Sequence, residues 1–257
     1  DGAEVEILMG PGVDPHLDKA SQGDMRRISE ASILVINGLH LEGKMAETFE
    51  HISKSKPVIS VGEGIPASSR IPVPGSENLF DPHIWLDVNL WSKGILYAGR
   101  RLQEAFPGDS VAIGKRLSAY MDSLSALDEQ ARQMINQIPE TQRILITSHD
   151  AFHYFGRAYG VEVKGLQGIS TVSEYGLKDV SDMVQFICRR NIQAVFIESS
   201  VPAQSIQAVL EGCLAKNHPL QKGGMLYSDA VGPDGSYFSM IRHNVKTIQQ
   251  ALSPPLK

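Results

Sequence analysis

Cysteine is scarce in this chain. The 257 residues contain two, Cys188 and Cys213, in neither CxxC nor zinc-ribbon spacing. That excludes a thiolate metal centre. The pair reads as two small buried hydrophobes, with a disulfide between neighbouring helices as the alternative. Long apolar runs are absent too. None approaches the ~20 residues that span a bilayer, and the N-terminus carries no signal peptide. The chain is therefore cytosolic, or the mature form of an exported protein. Runs of Lys or Arg are missing and the net charge is −5, which argues against a nucleic-acid surface. Apolar residues make up 42% and charged residues 21%, as in soluble globular proteins. The length allows two domains or one large one.

Against this ordinary background stands a repeated tripeptide, Asp14-Pro15-His16 and Asp81-Pro82-His83. Chance would give roughly 0.02 copies in a chain of this composition, so two pass the false-positive test for a motif. Proline fixes its own φ and pushes the preceding Asp into extended backbone. The histidine then leaves a stiff stub, and the adjacent carboxylate can hold its unused ring nitrogen. That is how a histidine is prepared for a metal.

The order of elements is α/β. Val5–Met9 reads as a strand. It is followed by a helix over Gly23–Ala31, a buried strand over Ile33–Asn37, a helix over Leu41–Ile52 and a strand over Pro57–Val61. Alternation of this kind implies a parallel sheet flanked by helices. Pro66–Asp81 reads as a surface loop and Val88–Ala105 as a helix. Ile113, Leu117, Tyr120, Leu124, Leu127, Ala131, Met134 and Ile138 then form one apolar stripe, predicting a helix over Ser110–Ile138 about 40 Å long. A second series follows. Its strands are Ile144–Thr147, Val161–Val163, Ala194–Glu198 and Met225–Tyr227, and its helices are Asp150–Tyr159, Leu177–Arg190, Ala203–Lys216 and Tyr237–Leu252. The fold class is two Rossmann-like α/β lobes with parallel sheets joined by one long backbone helix. The expected domains are residues 1–107, a linking helix 108–139, and residues 140–257.

Ligands collect at the carboxyl ends of strands in such sheets. His16, His149 and Asp229 each follow a strand, and His83 opens the helix after the long loop. Residues so far apart in sequence converge only across a cleft between lobes. Three imidazoles and a carboxylate suit tetrahedral zinc. A bidentate Asp raises the donor count to five, which suits manganese or iron(II). Four protein ligands leave little room for an activated water, so the chemistry favours holding a metal over using it. Among the other histidines, His40 follows a strand end and could approach the cleft. His153 reads as a rim or packing residue, His51 and His218 as exposed, and His243 as a buried hydrogen-bonding residue. Glu198 either accepts from a ligand or caps the next helix, and the structural role is preferred for it, as for Tyr237 and Asn244.

Asp14-Pro15-His16, Asn37-Gly38-Leu39-His40-Leu41-Glu42, Asp81-Pro82-His83-Ile84-Trp85-Leu86-Asp87, Ser148-His149-Asp150-Ala151-Phe152, Phe196-Ile197-Glu198-Ser199-Ser200 and Tyr227-Ser228-Asp229-Ala230 stand in one order. Together they resemble the TroA-type (cluster A-I) metal-binding proteins of ABC importers, over nearly the whole chain. The resemblance implies a periplasmic or otherwise extracytoplasmic receptor, free or lipid-anchored and monomeric. It would capture Zn²⁺ or Mn²⁺, with Fe²⁺ a further candidate, and deliver it to a membrane permease. It implies metal ligands at His16, His83, His149 and Asp229, and no enzymatic activity. It also implies a further strand and helix before Val5. Pro66–Asp81 lacks the histidines of zinc-dedicated members, and His149 stands where manganese-dedicated members often carry Glu, so a broader Zn/Mn receptor is expected. Two rivals use the same residues. One is a mononuclear metallohydrolase, with Glu198 the only nameable base. The other is a surface adhesin with a structural metal.

Overall fold

A computed structural model describes residues 3–76, 78–172, 174–232 and 234–253. The chain begins without the strand expected at Val5–Met9. Among the described residues that segment has no ladder partner: Val5 and Ile7 are 83% and 68% exposed, and the Ile7 carbonyl instead accepts from Arg27. Helix α1 (Gln22–Glu30) follows, with Ser21 and Asp24 forming a capping box. Its C-terminal end is closed by Lys56, whose ammonium donates to the carbonyls of Ile28, Ser29 and Ala31 at 2.9, 2.5 and 2.7 Å. A cation there meets the negative end of the helix. Strands β1 (Leu34–Ile36) and β2 (Val58–Ser60) pair in parallel around α2 (Ala46–Ser53).

The Pro66–Asp81 loop leads to α3 (Val88–Ala105), which has the expected limits and is N-capped by Asp87. The long helix α4 (Ser110–Ile135) ends three residues short of the expected Ile138. Its buried positions are Leu124, Leu127, Ala131 and Ile135, while Met134, which the stripe singled out, is only half-buried. The stripe follows a 3.5-residue repeat. A straight helix turns every 3.6 residues, so the buried face drifts about 20° per heptad and reaches Ile135.

The C-terminal strands β3 (Ile144–His149) and β4 (Glu162–Gln167) form one parallel pair, and β5 (Ala194–Glu198) and β6 (Gln221–Leu226) another. β3 lies beside β5. Helix α5 (His153–Tyr159) starts later than expected, because residues 150–152 turn before it. Gly160, with φ of 68°, closes it in the left-handed conformation. Helices α6 (Leu177–Arg190), α7 (Gln204–Ala215) and α8 (Tyr237–Leu252) complete the chain.

The core is the expected α/β arrangement with one notable continuity. A single cluster of buried residues runs from Leu41, Ile59 and Ile84–Leu86 through Leu124 and Leu127 to Phe152, Phe196 and Met240. It joins the N-terminal sheet to the C-terminal strands through α3, α4 and α8. A second cluster lies under α6 and α7, and a small one under α1 and α2.

Candidate metal centre

The two Asp-Pro-His motifs are built differently. In the first, Asp14 Oδ1 accepts from the His16 backbone N–H at 2.9 Å, and Asp14 Oδ2 accepts from the Thr171 hydroxyl at 2.6 Å. In the second, Asp81 Oδ1 accepts from the His83 backbone at 2.9 Å and also lies 2.7 Å from His83 Nδ1. Only the second carboxylate thus holds the ring itself. The turn after His83 (Ile84–Leu86) runs straight into α3, which anchors the imidazole to a long helix. Asn37, at the end of β1, donates to the Pro82 carbonyl at 3.0 Å and ties the motif to the sheet.

His149 is the last residue of β3. The backbone there runs so close to β4 that a side chain at Gly165 would collide with the His149–Asp150 peptide. Asp229 follows β6, and its Oδ2 accepts from the Ser200 hydroxyl at 3.1 Å.

These segments converge. His16, His83, His149 and Asp229 each direct a donor atom to one point, all within 4.8 Å of one another, the only such group among the described residues. His83 Nε2 lies 3.3 Å from His16 Nε2, 3.4 Å from His149 Nε2 and 3.3 Å from Asp229 Oδ1. His149 Nε2 lies 3.4 Å from Asp229 Oδ2. Donors about 2.0–2.1 Å from a tetrahedral zinc stand about 3.3–3.4 Å apart, so the spacing fits such an ion. Both Asp229 oxygens face the cluster, which also allows five donors. Asp229 Oδ1 is buried without a hydrogen-bond partner, an arrangement that a cation would satisfy.

The surrounding carboxylates set the charge. Burial pulls the His83 imidazole down, but Asp81 and Asp229 more than reverse it and raise it to about 9. Burial likewise opposes protonation of His149, and Glu198 and Asp229 raise it well above the usual range. His16 goes the other way, to about 4, through burial and the neighbouring His83 charge. Burial works against the Asp229 anion, yet His149 and His83 hold it well below the usual carboxylate range.

Several expectations shift. Glu198 is not a helix cap: its Oε2 lies 2.6 Å from His149 Nδ1, and its Oε1 accepts from the His149 backbone at 2.8 Å. His153 lies partly exposed at the edge of the site. It reaches Asp81 Oδ2 at 3.2 Å and Asp150 Oδ1 at 3.7 Å, forming a chain from His83 towards the surface. His40 is exposed and lines an opening of about 370 Å³ together with His16, Lys44, Ser170 and Val172. His51 is exposed as expected. His218 is half-buried and bonds the Ile192 carbonyl, whereas His243 is exposed though it bonds the Met225 carbonyl. Asn244 is buried and pairs with both backbone groups of Tyr227.

Three aromatic residues tie the site to the core, and of these only Tyr237 is given a structural role by the sequence. Trp85 Nε1 donates to the Ser228 carbonyl at 2.6 Å, and Tyr237 donates to the Trp85 carbonyl at 2.7 Å. The Tyr154 hydroxyl donates to the Asp81 carbonyl at 2.9 Å and accepts from the Ile71 N–H at 3.0 Å. Trp85 stands two residues after His83, and that spacing was the one available signal.

The family model described as ZnuA, zinc-uptake complex component A periplasmic, matches residues 1–251. The chain belongs to this family. Among ZnuA-family relatives, the manganese-binding lipoprotein MntA of Bacillus subtilis (strain 168) is 46% identical over 253 residues, covering 97% of this chain and 82% of the relative. The zinc-binding protein TroA of Treponema pallidum (strain Nichols) is 44% identical over 250 residues, covering 96% and 80%. The solved structure of the periplasmic zinc-binding protein TroA from Treponema pallidum superposes with a TM-score of 0.93 at 43% identity, covering 96% of this chain and 90% of that one. Fe(III)-bound YtgA from Chlamydia trachomatis gives 0.87 at 25% identity, covering 97% and 90%. The α/β fold with parallel sheets and a long helix is that of the ZnuA family. Among the described residues, no helix is long and apolar enough to cross a membrane.

Proposed function

We propose that this protein is an extracytoplasmic receptor that binds Zn²⁺ or Mn²⁺ through His16, His83, His149 and Asp229 and delivers it to the permease of a metal ABC importer. The observation that carries the reading is the convergence of three imidazole Nε2 atoms and one carboxylate at 3.3–3.4 Å spacing, inside a chain of the ZnuA family. Imidazole and carboxylate donors suit both metals, and the two-oxygen approach of Asp229 widens the choice to manganese and iron(II). The names of the relatives point the same way, with one manganese-binding and another zinc-binding.

In this reading residues 1–107 and 140–257 form the two halves of the receptor, joined by residues 108–139, and the ion staples them. The protein acts as a monomer, lipid-anchored or free. It is a receptor and not an enzyme. Glu198, the base that a hydrolase would need, is committed to His149 through both oxygens. Titration of metal-free protein with Zn²⁺ and Mn²⁺ at about pH 7.5 tests the assignment, since the ion must displace the imidazole protons to bind. One ion per chain and a raised melting temperature are expected. A melting temperature indifferent to both metals overturns it.

A further inference from the structure

We propose that Cys188 and Cys213 form a disulfide that staples α6 to α7 in the mature protein. They are the only cysteines in the chain, and both are thiols in this structure. They nevertheless lie close. Cys188 near the end of α6 packs against the buried cluster that holds Cys213 near the end of α7, and the Cys188 sulfur is the neighbour that, with burial, raises the Cys213 thiol. The helices come close at this point: a side chain at Gly212, next to Cys213, would place its Cβ 2.7 Å from Val184 Cγ2, one turn before Cys188. Bridging requires such proximity, with Cα atoms about 4.4–6.8 Å apart.

Other uses of the pair fit poorly. A metal would need further donors, and among the described residues the only ligating group is the one at His16. A nucleophile would need an accessible thiolate. Cys213 is 0% exposed, and burial together with the neighbouring sulfur pushes its thiol up to about 12. An extracytoplasmic protein, by contrast, meets oxidants that make disulfides persist.

The burial difference sets the order of events. Cys188, half-buried, is the reachable sulfur. As a thiolate it attacks the disulfide of an oxidised thiol–disulfide oxidant, forming a mixed disulfide and releasing one oxidant thiolate. Cys213 then gives up its proton and attacks the Cys188 sulfur, expelling the second oxidant thiolate. Two thiols are oxidised to one disulfide, and the oxidant disulfide is reduced to two thiols.

The inference does not depend on the metal assignment, and thiol counting tests it. Full-length protein is incubated with oxidised glutathione, denatured, and alkylated with iodoacetamide before and after reduction. The expected result is no alkylation before reduction and two alkylated cysteines after it. Non-reducing peptide maps should join the Cys188 and Cys213 peptides. Cys188→Ser should leave Cys213 open to alkylation in the denatured chain, showing that a bond and not burial protects it. Two alkylated cysteines before reduction, or a glutathione adduct that stays on Cys188, would overturn the proposal.

Discussion

His149 Nδ1 and Glu198 Oε2 lie 2.6 Å apart with both side chains fully buried. The carboxylate also accepts from the His149 backbone N–H, so it holds the residue at two points, one on the backbone and one on the ring, and leaves Nε2 facing the cluster. Removing such a partner typically costs 10–100-fold in metal affinity. Glu198→Gln keeps the shape and loses the charge, so a fall of about tenfold or more is expected, read by competition with a chromophoric chelator. Unchanged affinity would reduce Glu198 to a packing role.

Asp81 does the same for His83 and is itself held by His153. Asp81→Asn should weaken metal binding by about 10–100-fold. His153→Ala acts one step further out and should cost less, with the melting temperature of the metal-free protein nearly unchanged because His153 is partly exposed. Equal losses from the two variants would contradict this ordering.

Metal binding should expel protons. His83, raised to about 9, and His149, raised well above its usual value, both carry a proton at neutral pH in the metal-free protein. His16, lowered to about 4, does not. About two protons should therefore leave per ion, and apparent affinity should rise by up to ~100-fold per pH unit while both remain protonated. Calorimetry in buffers of different ionisation heat counts them. The stability of the metal-free fold should follow the opposite trend. A raised His83 stabilises it fully below about 6.5, the unfolded value, and that contribution is lost as pH rises through about 9. The rise in melting temperature on adding metal should thus widen from pH 6 towards pH 9.

Trp85→Phe keeps a six-membered aromatic ring and removes the pyrrole N–H that donates to the Ser228 carbonyl. Leaving a buried acceptor unpaired costs about 1–3 kcal/mol, to be read from denaturant unfolding. A loss well below that range would show that solvent replaces the indole.

Much of this was legible because the signals are local. Proline-fixed stubs, strand-end positions and buried strand runs marked all four converging residues, and α3, α6, β5 and α8 have their expected limits. Where the reading failed, the deciding partner lay far along the chain. Val5–Met9 has a strand composition, but a strand exists only beside another. Glu198 looked like a cap because nothing in the sequence places it against His149, 49 residues away. Asp14 and Asp81 sit in identical tripeptides, yet one accepts from Thr171 and the other holds an imidazole. The difference comes from what packs opposite each motif.

The ties made by Trp85, Tyr237 and Tyr154, together with the core that continues through α3, α4 and α8, give the molecule one packed core from the N-terminal sheet to the C-terminal strands. Its silhouette should therefore be almost the same with and without cargo, and small-angle scattering of the two forms should superimpose. Hydrogen exchange near residues 14–16, 81–83 and 149 should slow when Zn²⁺ is added. A transporter that tells full from empty would then be testing compliance, pressing on one outline and responding to how far it yields.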